Sequence, residues 1–312
     1  MIEKINITEF RGIRKCEKDI ELSKFTVLAG RNNSGKTAVL EAIYLSGGNQ
    51  NVITYGNTAY PIAYFHSGQS SLIYGYSGTA KIDYVVNNKK IAQKIDERGI
   101  PQMYVENNLT SLGDVSKITG TDTTNIMFIP NNSEYIKILI TKIKNEKYER
   151  IMKSGAHVRV IEFINKCVND KFTDIYLPDF KLRKELSDNV LYIPIEDLGS
   201  GLVKIIPVLL WIETFSPKIL LWDDFEISAH PSLIKILIEY LSKKDIQIFI
   251  STHSIDVLSE IINVKPNDTS ILLLSKTSDD VLKYVKLDLK ELETMMEDVN
   301  HDPRLMSDAL QL

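Results

Sequence analysis

Gly30-Arg31-Asn32-Asn33-Ser34-Gly35-Lys36-Thr37 fits the pattern G-x-x-x-x-G-K-[ST], and no other stretch restricts the fold of this chain so strongly. A phosphate chain needs several backbone N–H donors converging on it, which a tight Gly-rich turn presents. A helix that follows adds its N-terminal dipole and its free N–H groups. Lys36 then supplies a point charge for the β and γ phosphates, and the Thr37 hydroxyl can ligate Mg²⁺. The pattern arises by accident in roughly 1% of chains this long. Its flanks also fit. Phe25-Thr26-Val27-Leu28-Ala29 reads as a short buried strand stopped by Gly30, and Thr37 to Leu45 reads as a helix ended by Gly47-Gly48.

A second apolar strand, Leu220-Leu221-Trp222, runs into the paired carboxylates Asp223-Asp224. In a parallel sheet the C-terminal strand edge is where ligands bind. Asp223 there can hold Mg²⁺, usually through water, and Asp224 can orient or deprotonate an attacking water. A helix opened by Pro231 follows, then the strand Ile246 to Ile250. This order predicts a right-handed parallel crossover. It places His253, in Ser251-Thr252-His253-Ser254, on the same edge as Asp223, where it suits a γ-phosphate sensor. His66, His157 and His301 lack such context and are expected at the surface.

At 312 residues, 44% hydrophobic and 25% charged, the chain has material for a sizeable core, which excludes disorder over most of its length. A net charge of -4 argues against a protein that coats nucleic acid with its whole surface. Cys16 and Cys167 make neither a disulfide framework nor a zinc site, and a reducing cytoplasm is expected. The longest apolar run, near Ile205 to Ile212, falls far short of the ~20 residues that span a bilayer. The start shows no signal-peptide core, so neither export nor membrane insertion is expected.

Short strands are expected at Ile5 to Ile7 and Phe10 to Ile13. Residues 50–130 alternate and read as an antiparallel β-rich lobe, with a hairpin at Asn87-Asn88. Ser133 to about Lys171 is helical in pattern and carries nine Lys or Arg, making 131–190 a helical lobe. A second α/β block follows: a strand at Leu191 to Ile195 and a helix from Gly201 to Phe215 kinked at Pro207. A terminal hairpin (Ser270 to Ser275, Val281 to Lys286) and an acidic helix, Leu289 to Asp298, close the chain.

Together these motifs resemble the ABC-type ATPases. Within them they resemble the branch of OLD-family nucleases, SMC-like repair ATPases and stand-alone "AAA family" ATPases without a TOPRIM nuclease domain. Ile7-Thr8-Glu9-Phe10-Arg11-Gly12-Ile13 resembles the opening strand of that branch, and Gly30 to Thr37 its Walker A motif. Leu198-Gly199-Ser200-Gly201-Leu202 resembles its signature motif. Asp223-Asp224-Phe225-Glu226, with His230-Pro231 behind, matches its Walker B and D-loop, and Ser251 to Ser254 its switch-histidine segment.

The resemblance implies an α/β P-loop NTPase with ABC-type head architecture, a mixed sheet plus antiparallel β lobe and helical lobe, forming one ATPase domain over 1–312. It implies ATP and Mg²⁺ as ligands. Gly30, Asn32, Asn33, Ser34, Gly35, Lys36, Thr37 and Arg11 would hold the nucleotide, Thr37 and Asp223 the metal, and Asp224, His253 and Glu226 would be catalytic. Two copies would pair head to tail, with Ser200 and Gly201 of one touching the γ-phosphate held by the other. ATP would drive this homodimer and hydrolysis would release it, controlling a separately encoded effector protein or an activity on DNA, in defence or repair.

Three departures stand out. The class usually has Asp-Glu where this chain has Asp223-Asp224. The shorter side chain misplaces a carboxylate by about 1 Å, which can cost on the order of 10²-fold in rate. Slow turnover and a long-lived ATP-bound dimer are therefore expected, and a non-hydrolysing ATP-gated binding module is the alternative. No glutamine in 50–130 identifies itself as the Q-loop residue. No long heptad array is present. About sixty residues follow His253, too few for the nuclease domain of the OLD proteins.

The basic stretch Lys137, Lys142, Lys144, Lys147, Arg150, Lys153, Arg159 offers weak support for DNA binding, since a solvated helix face explains it more readily. Leu-Gly-Ser-Gly is not the signature of transporter ATPases, and Asn165-Lys166-Cys167-Val168 lacks the Asp of a guanine-reading motif.

Overall fold

The computed structural model describes residues 1–46, 48, 51–99, 101–111, 114, 115, 117, 125–226 and 230–297. The chain opens with β1 (Ile2–Phe10), β2 (Ile13–Cys16), β3 (Ile20–Glu21) and β4 (Phe25–Ala29). Every residue of β4 is buried, as in a strand covered on both sides. Its side chains alternate: Phe25, Val27 and Ala29 belong to one core and Leu28 to the other. The phosphate loop leads from β4 into α1 (Lys36–Leu45). Gly47 and Asp298, expected to end helices, lie outside the described residues.

The β-rich part follows, with β5 (Asn51–Tyr55) and β6 (Thr58–Pro61), then β7 (Thr79–Val86), β8 (Lys89–Asp96), β9 (Pro101–Val105) and β10 (Asn108–Thr110). Ala80, Ile82, Tyr84 and Val86 alternate inward along β7. Asn87 and Asn88 take φ of +47° and +63°, the left-handed pair that a two-residue hairpin needs. This antiparallel region is continuous with the main sheet, because β7 pairs with β1 in the register Ile7↔Ile82.

Next come β11 (Ile126–Ile129), α2 (Ser133–Lys142), α3 (Tyr148–Ser154) and α4 (Ala156–Cys167). Strands β12 (Phe172–Tyr176), β13 (Lys181–Leu186) and β14 (Asn189–Pro194) form a separate sheet. The segment expected as a helical lobe over 131–190 is therefore helical only in its first part. A register shift between Phe172 and Asp174 breaks the period of β12, and Leu182 is the only buried residue of β13. Neither strand carries a clean alternation in its sequence. β14 was expected, one to two residues displaced.

The last third holds α5 (Ser200–Phe215), β15 (Ile219–Trp222), α6 (Pro231–Ser242), β16 (Gln247–Thr252), α7 (Ile255–Val264), β17 (Thr269–Lys276), β18 (Val281–Leu287) and α8 (Leu289–Glu297). Helix α5 continues through Pro207 as one element. Among the described residues the main sheet has thirteen strands in the order β10-β9-β8-β7-β1-β2-β18-β17-β4-β16-β15-β11, with β3 on β1. The run β17-β4-β16-β15-β11 is parallel. Residues of α2, α4, α5, α6 and α7 pack in one core, and those of α1 with the inward side of the β-rich region in the other. The parallel run brings the ends of β4, β11, β15 and β16 to one sheet edge.

Candidate nucleotide-binding site

Backbone geometry shapes the phosphate loop. Gly30 has φ +148°, and a Cβ there would lie 2.4 Å from the Leu274 carbonyl oxygen on β17, so only glycine fits. Gly35 has φ +99° and caps α1. Asn33 is left-handed at φ +63°, which asparagine tolerates. Arg31, Asn32 and Asn33 are exposed, whereas Ser34 and Lys36 are buried. Lys36 Nζ donates to the carbonyl oxygens of Gly30 at 2.9 Å and Arg31 at 2.8 Å. Burial lowers its pKa, and the charges of Asp224, Asp223 and Glu226 oppose that shift. A cavity of about 210 Å³ lies against Asn32, Gly35, Lys36, Thr37, Arg11 and Asp224.

Asp223 ends β15 beside this loop and is 4% exposed. Thr37 Oγ1 donates to its two carboxylate oxygens at 3.1 and 3.0 Å. Ser251 Oγ donates to Oδ1 at 2.6 Å and accepts the Asp224 backbone N–H at 2.8 Å. Burial raises the Asp223 pKa and Asp224 adds to it, while the Ser251 and Thr37 hydrogen bonds hold it down. A buried carboxylate in contact with a hydroxyl is a hard-oxygen pair that fits Mg²⁺.

Asp224, Glu226 and His253 gather at the next position along the edge, one ligand atom of each within 4.8 Å of the others. Asp224 is left-handed at φ +46°. Its Oδ2 accepts from Asn131 Nδ2 at 2.8 Å, and its Oδ1 lies 3.6 Å from His253 Nδ1. Glu226 Oε1 accepts from the His253 backbone N–H at 2.9 Å and lies 2.9 Å from His253 Nδ1. One oxygen thus fixes both the backbone and the ring of His253.

The remaining expected residues sit elsewhere. Arg11 borders the loop cavity, but its guanidinium is turned away: Nε lies 2.9 Å from Glu41 Oε2, Nη1 donates to Ser71 O at 3.1 Å, and Nη2 meets His66 Nδ1 at 3.0 Å. His66 Nε2 closes the triad on Glu41 Oε1 at 2.5 Å. His66, expected at the surface, is therefore a half-buried partner of a buried glutamate on α1. Ser200 is exposed in the first turn of α5 after Gly199, and Gly201 is buried behind it. Neither borders the loop cavity; Ser200 lines a different one with Asn131 and Lys204.

Sequence reasoning named no role for Ser251, Asn131, Glu41 or Lys204. Ser251 stood inside the switch-histidine segment and could have been found there. Asn131 follows β11, a strand of four residues at the end of the antiparallel region, and nothing in the sequence ties it to Asp224.

Residues 1–97 match the family profile described as "AAA ATPase domain", and residues 122–260 match the one described as "AAA domain, putative AbiEii toxin, Type IV TA system". A stretch of 46 residues, 15% of the chain, is 48% identical to the DNA replication and repair protein RecF of Vibrio campbellii. A stretch of 47 residues is 53% identical to its counterpart in Vibrio parahaemolyticus. These matches span only 13% and 12% of the two relatives' lengths.

Whole-chain similarity is structural. An SMC head solved with the C-terminal winged-helix domain of ScpA superposes with a TM-score of 0.64 at 18% identity, over 93% of this chain and 98% of that one. The SMC head domain of Thermotoga maritima gives 0.54 at 16%, over 92% and 99%. The recombination mediator RecF, solved with ATPrS, gives 0.52 at 15%, over 91% and 98%. The chain has the fold of the ABC-type ATPase heads of SMC and RecF proteins, an α/β structure on a large mixed sheet.

Proposed function

We propose that this chain binds Mg·ATP on its phosphate loop, hydrolyses it slowly, and uses the bound triphosphate to hold two copies together. The observation that carries this reading is the direct contact of Thr37 with a buried Asp223, which Ser251 also holds, beside a loop whose lysine donates to loop carbonyls and, among the described residues, makes no ion pair. Those carbonyl bonds are the ones a triphosphate would replace. Mg²⁺ held by Thr37 and Asp223 would offset charge on the β and γ oxygens. Asp224, oriented by Asn131, accepts a hydrogen bond from the attacking water, and His253, fixed by Glu226, meets the γ-phosphate. The exposed Ser200 at a helix start offers the second copy's γ-phosphate a hydroxyl and free N–H groups.

Pairing and release would then gate a separately encoded effector or DNA. The relatives named above, an SMC head bound to ScpA and a DNA repair protein, support such a role. The basic stretch adds little: Arg159 pairs with Glu213, Lys153 with Glu149, and Lys142 lies over the Trp211 ring. The left-handed, Asn131-bound Asp224 favours the second reading, a nucleotide-gated module with no turnover. Single-turnover hydrolysis separates the two. A rate well above that of Lys36→Ala supports the ATPase, and a rate equal to it leaves only the module.

A further inference from the structure

Another cavity lies away from the phosphate loop. It has a volume of about 690 Å³ and lies between α2 and the start of α5. That volume is within the range of sites that enclose cofactor-sized molecules. Its walls are two-sided in chemistry. Ile136 and Ile140 of α2 face Leu198 and Val203 across it, and this supplies an apolar body. Lys137, Lys144 and Lys204 also line it, against a single acid, Glu196.

The three lysines carry the charge argument. Lys137 is exposed and Lys144 half-buried, and among the described residues no ion pair or hydrogen bond engages either ammonium. Lys204 Nζ is buried without a hydrogen-bond partner, 5.8 Å from the Trp222 ring centroid, and the carboxylates of Asp224, Asp223 and Glu226 act on it from the neighbouring sheet edge. Those carboxylates offset only part of the cost of burying an ammonium that has no hydrogen-bond acceptor, and an anion bonded to it would offset more. The N-terminus of α2, at Asn132 and Ser133, opens onto the same space and adds partial positive charge.

We infer that this cavity binds a small organic anion with an apolar or aromatic body, of roughly nucleotide size. The binding site is distinct from the phosphate loop but shares two residues with its machinery. Asn131 holds Asp224 at 2.8 Å and lines the cavity. Ser200 lines it from the other side. An occupant therefore stands between the residue that orients Asp224 and the serine proposed to meet the second copy's nucleotide.

The test uses the nucleotide-free full chain, so it remains readable even if ATP does not bind. The probe is 8-anilinonaphthalene-1-sulfonate, followed by its fluorescence. A saturable component is expected that weakens at least 10-fold in Lys137→Glu/Lys144→Glu, two positions on the cavity wall whose ammonium groups pair with none of the described residues. Thr141→Trp, which fills the space without changing charge, is expected to remove it. The uncharged analogue N-phenyl-1-naphthylamine is expected to bind at least 10-fold more weakly than the sulfonate. Circular dichroism confirms that each variant is folded. Equal dye binding by wild type and both variants overturns the site, and equal binding of the charged and uncharged dyes overturns its preference for anions.

Discussion

Lys36 donates to the carbonyl oxygens of Gly30 and Arg31 in its own loop and, among the described residues, makes no ion pair, so its charge is held in place by backbone alone. Charge-assisted hydrogen bonds to phosphate are worth about 1.5–3 kcal/mol. Lys36→Ala is therefore expected to weaken ATP binding by on the order of 10²-fold in titration calorimetry, while leaving the fold intact. Ser251 has a wider role, since its hydroxyl serves the Asp223 carboxylate and the Asp224 backbone N–H together. Ser251→Ala leaves both groups short of a partner, and a loss of about 1–3 kcal/mol in denaturant unfolding is expected. Unchanged stability would mean that the hydroxyl is not satisfying them.

Asp223 also sets a pH dependence. Its pKa is raised, chiefly by burial, so it takes up a proton at higher pH than an ordinary carboxylate. Mg²⁺ needs the deprotonated form. Mg²⁺ affinity is therefore expected to fall as pH drops, beginning above the usual carboxylate range, and Asp223→Asn should abolish this trend. The sign for folding is opposite. A carboxyl whose folded pKa is raised contributes less stability as pH rises from its unfolded value through its folded one. An affinity that is flat across this window, or that grows on acidification, contradicts the assignment of Asp223 to the metal.

Among the elements, the turn from β4 into α1 depends most on its neighbour β17. A side chain at Gly30 would collide with the Leu274 backbone at 2.4 Å. Gly30→Ala is expected to cost roughly 3 kcal/mol or more, seen as a lowered melting temperature together with lost nucleotide binding. Elements of this kind were legible in the sequence. The fully buried β4 and β15, the Asn87-Asn88 turn and the Pro231 helix start each carry a local signal, in composition, turn chemistry or capping. What escaped was tertiary. Strands β12 and β13, unlike β14, carry a register shift or charged residues that hide any alternation. The short β11 looks like the end of one lobe yet pairs in parallel with β15. The Arg11–Glu41–His66 cluster joins residues from three separate segments, which no spacing within one segment could show. The candidate site was legible where a motif fixed the backbone, and not where a side chain such as Asn131 arrives from afar.

On the scale of the whole molecule, the loop and the signature-like Ser200 belong to one chain but border different cavities. A single copy does not place Ser200 on its own phosphate loop, so a nucleotide clasped by both requires two copies related head to tail. The two cores run along opposite sides of one sheet, and α5 leads from the exposed Ser200 into one of them. The start of that helix is thus placed by the packed interior, not by a loose loop. The most direct measurement is sedimentation of Asp224→Asn with and without ATP and Mg²⁺, alongside the same protein carrying Ser200→Arg. A doubling of mass with Mg·ATP, lost in Ser200→Arg although that variant still binds the nucleotide, is the expected result. A protein that binds Mg·ATP and stays monomeric, or that pairs equally well with Arg at position 200, would contradict the shared-nucleotide dimer.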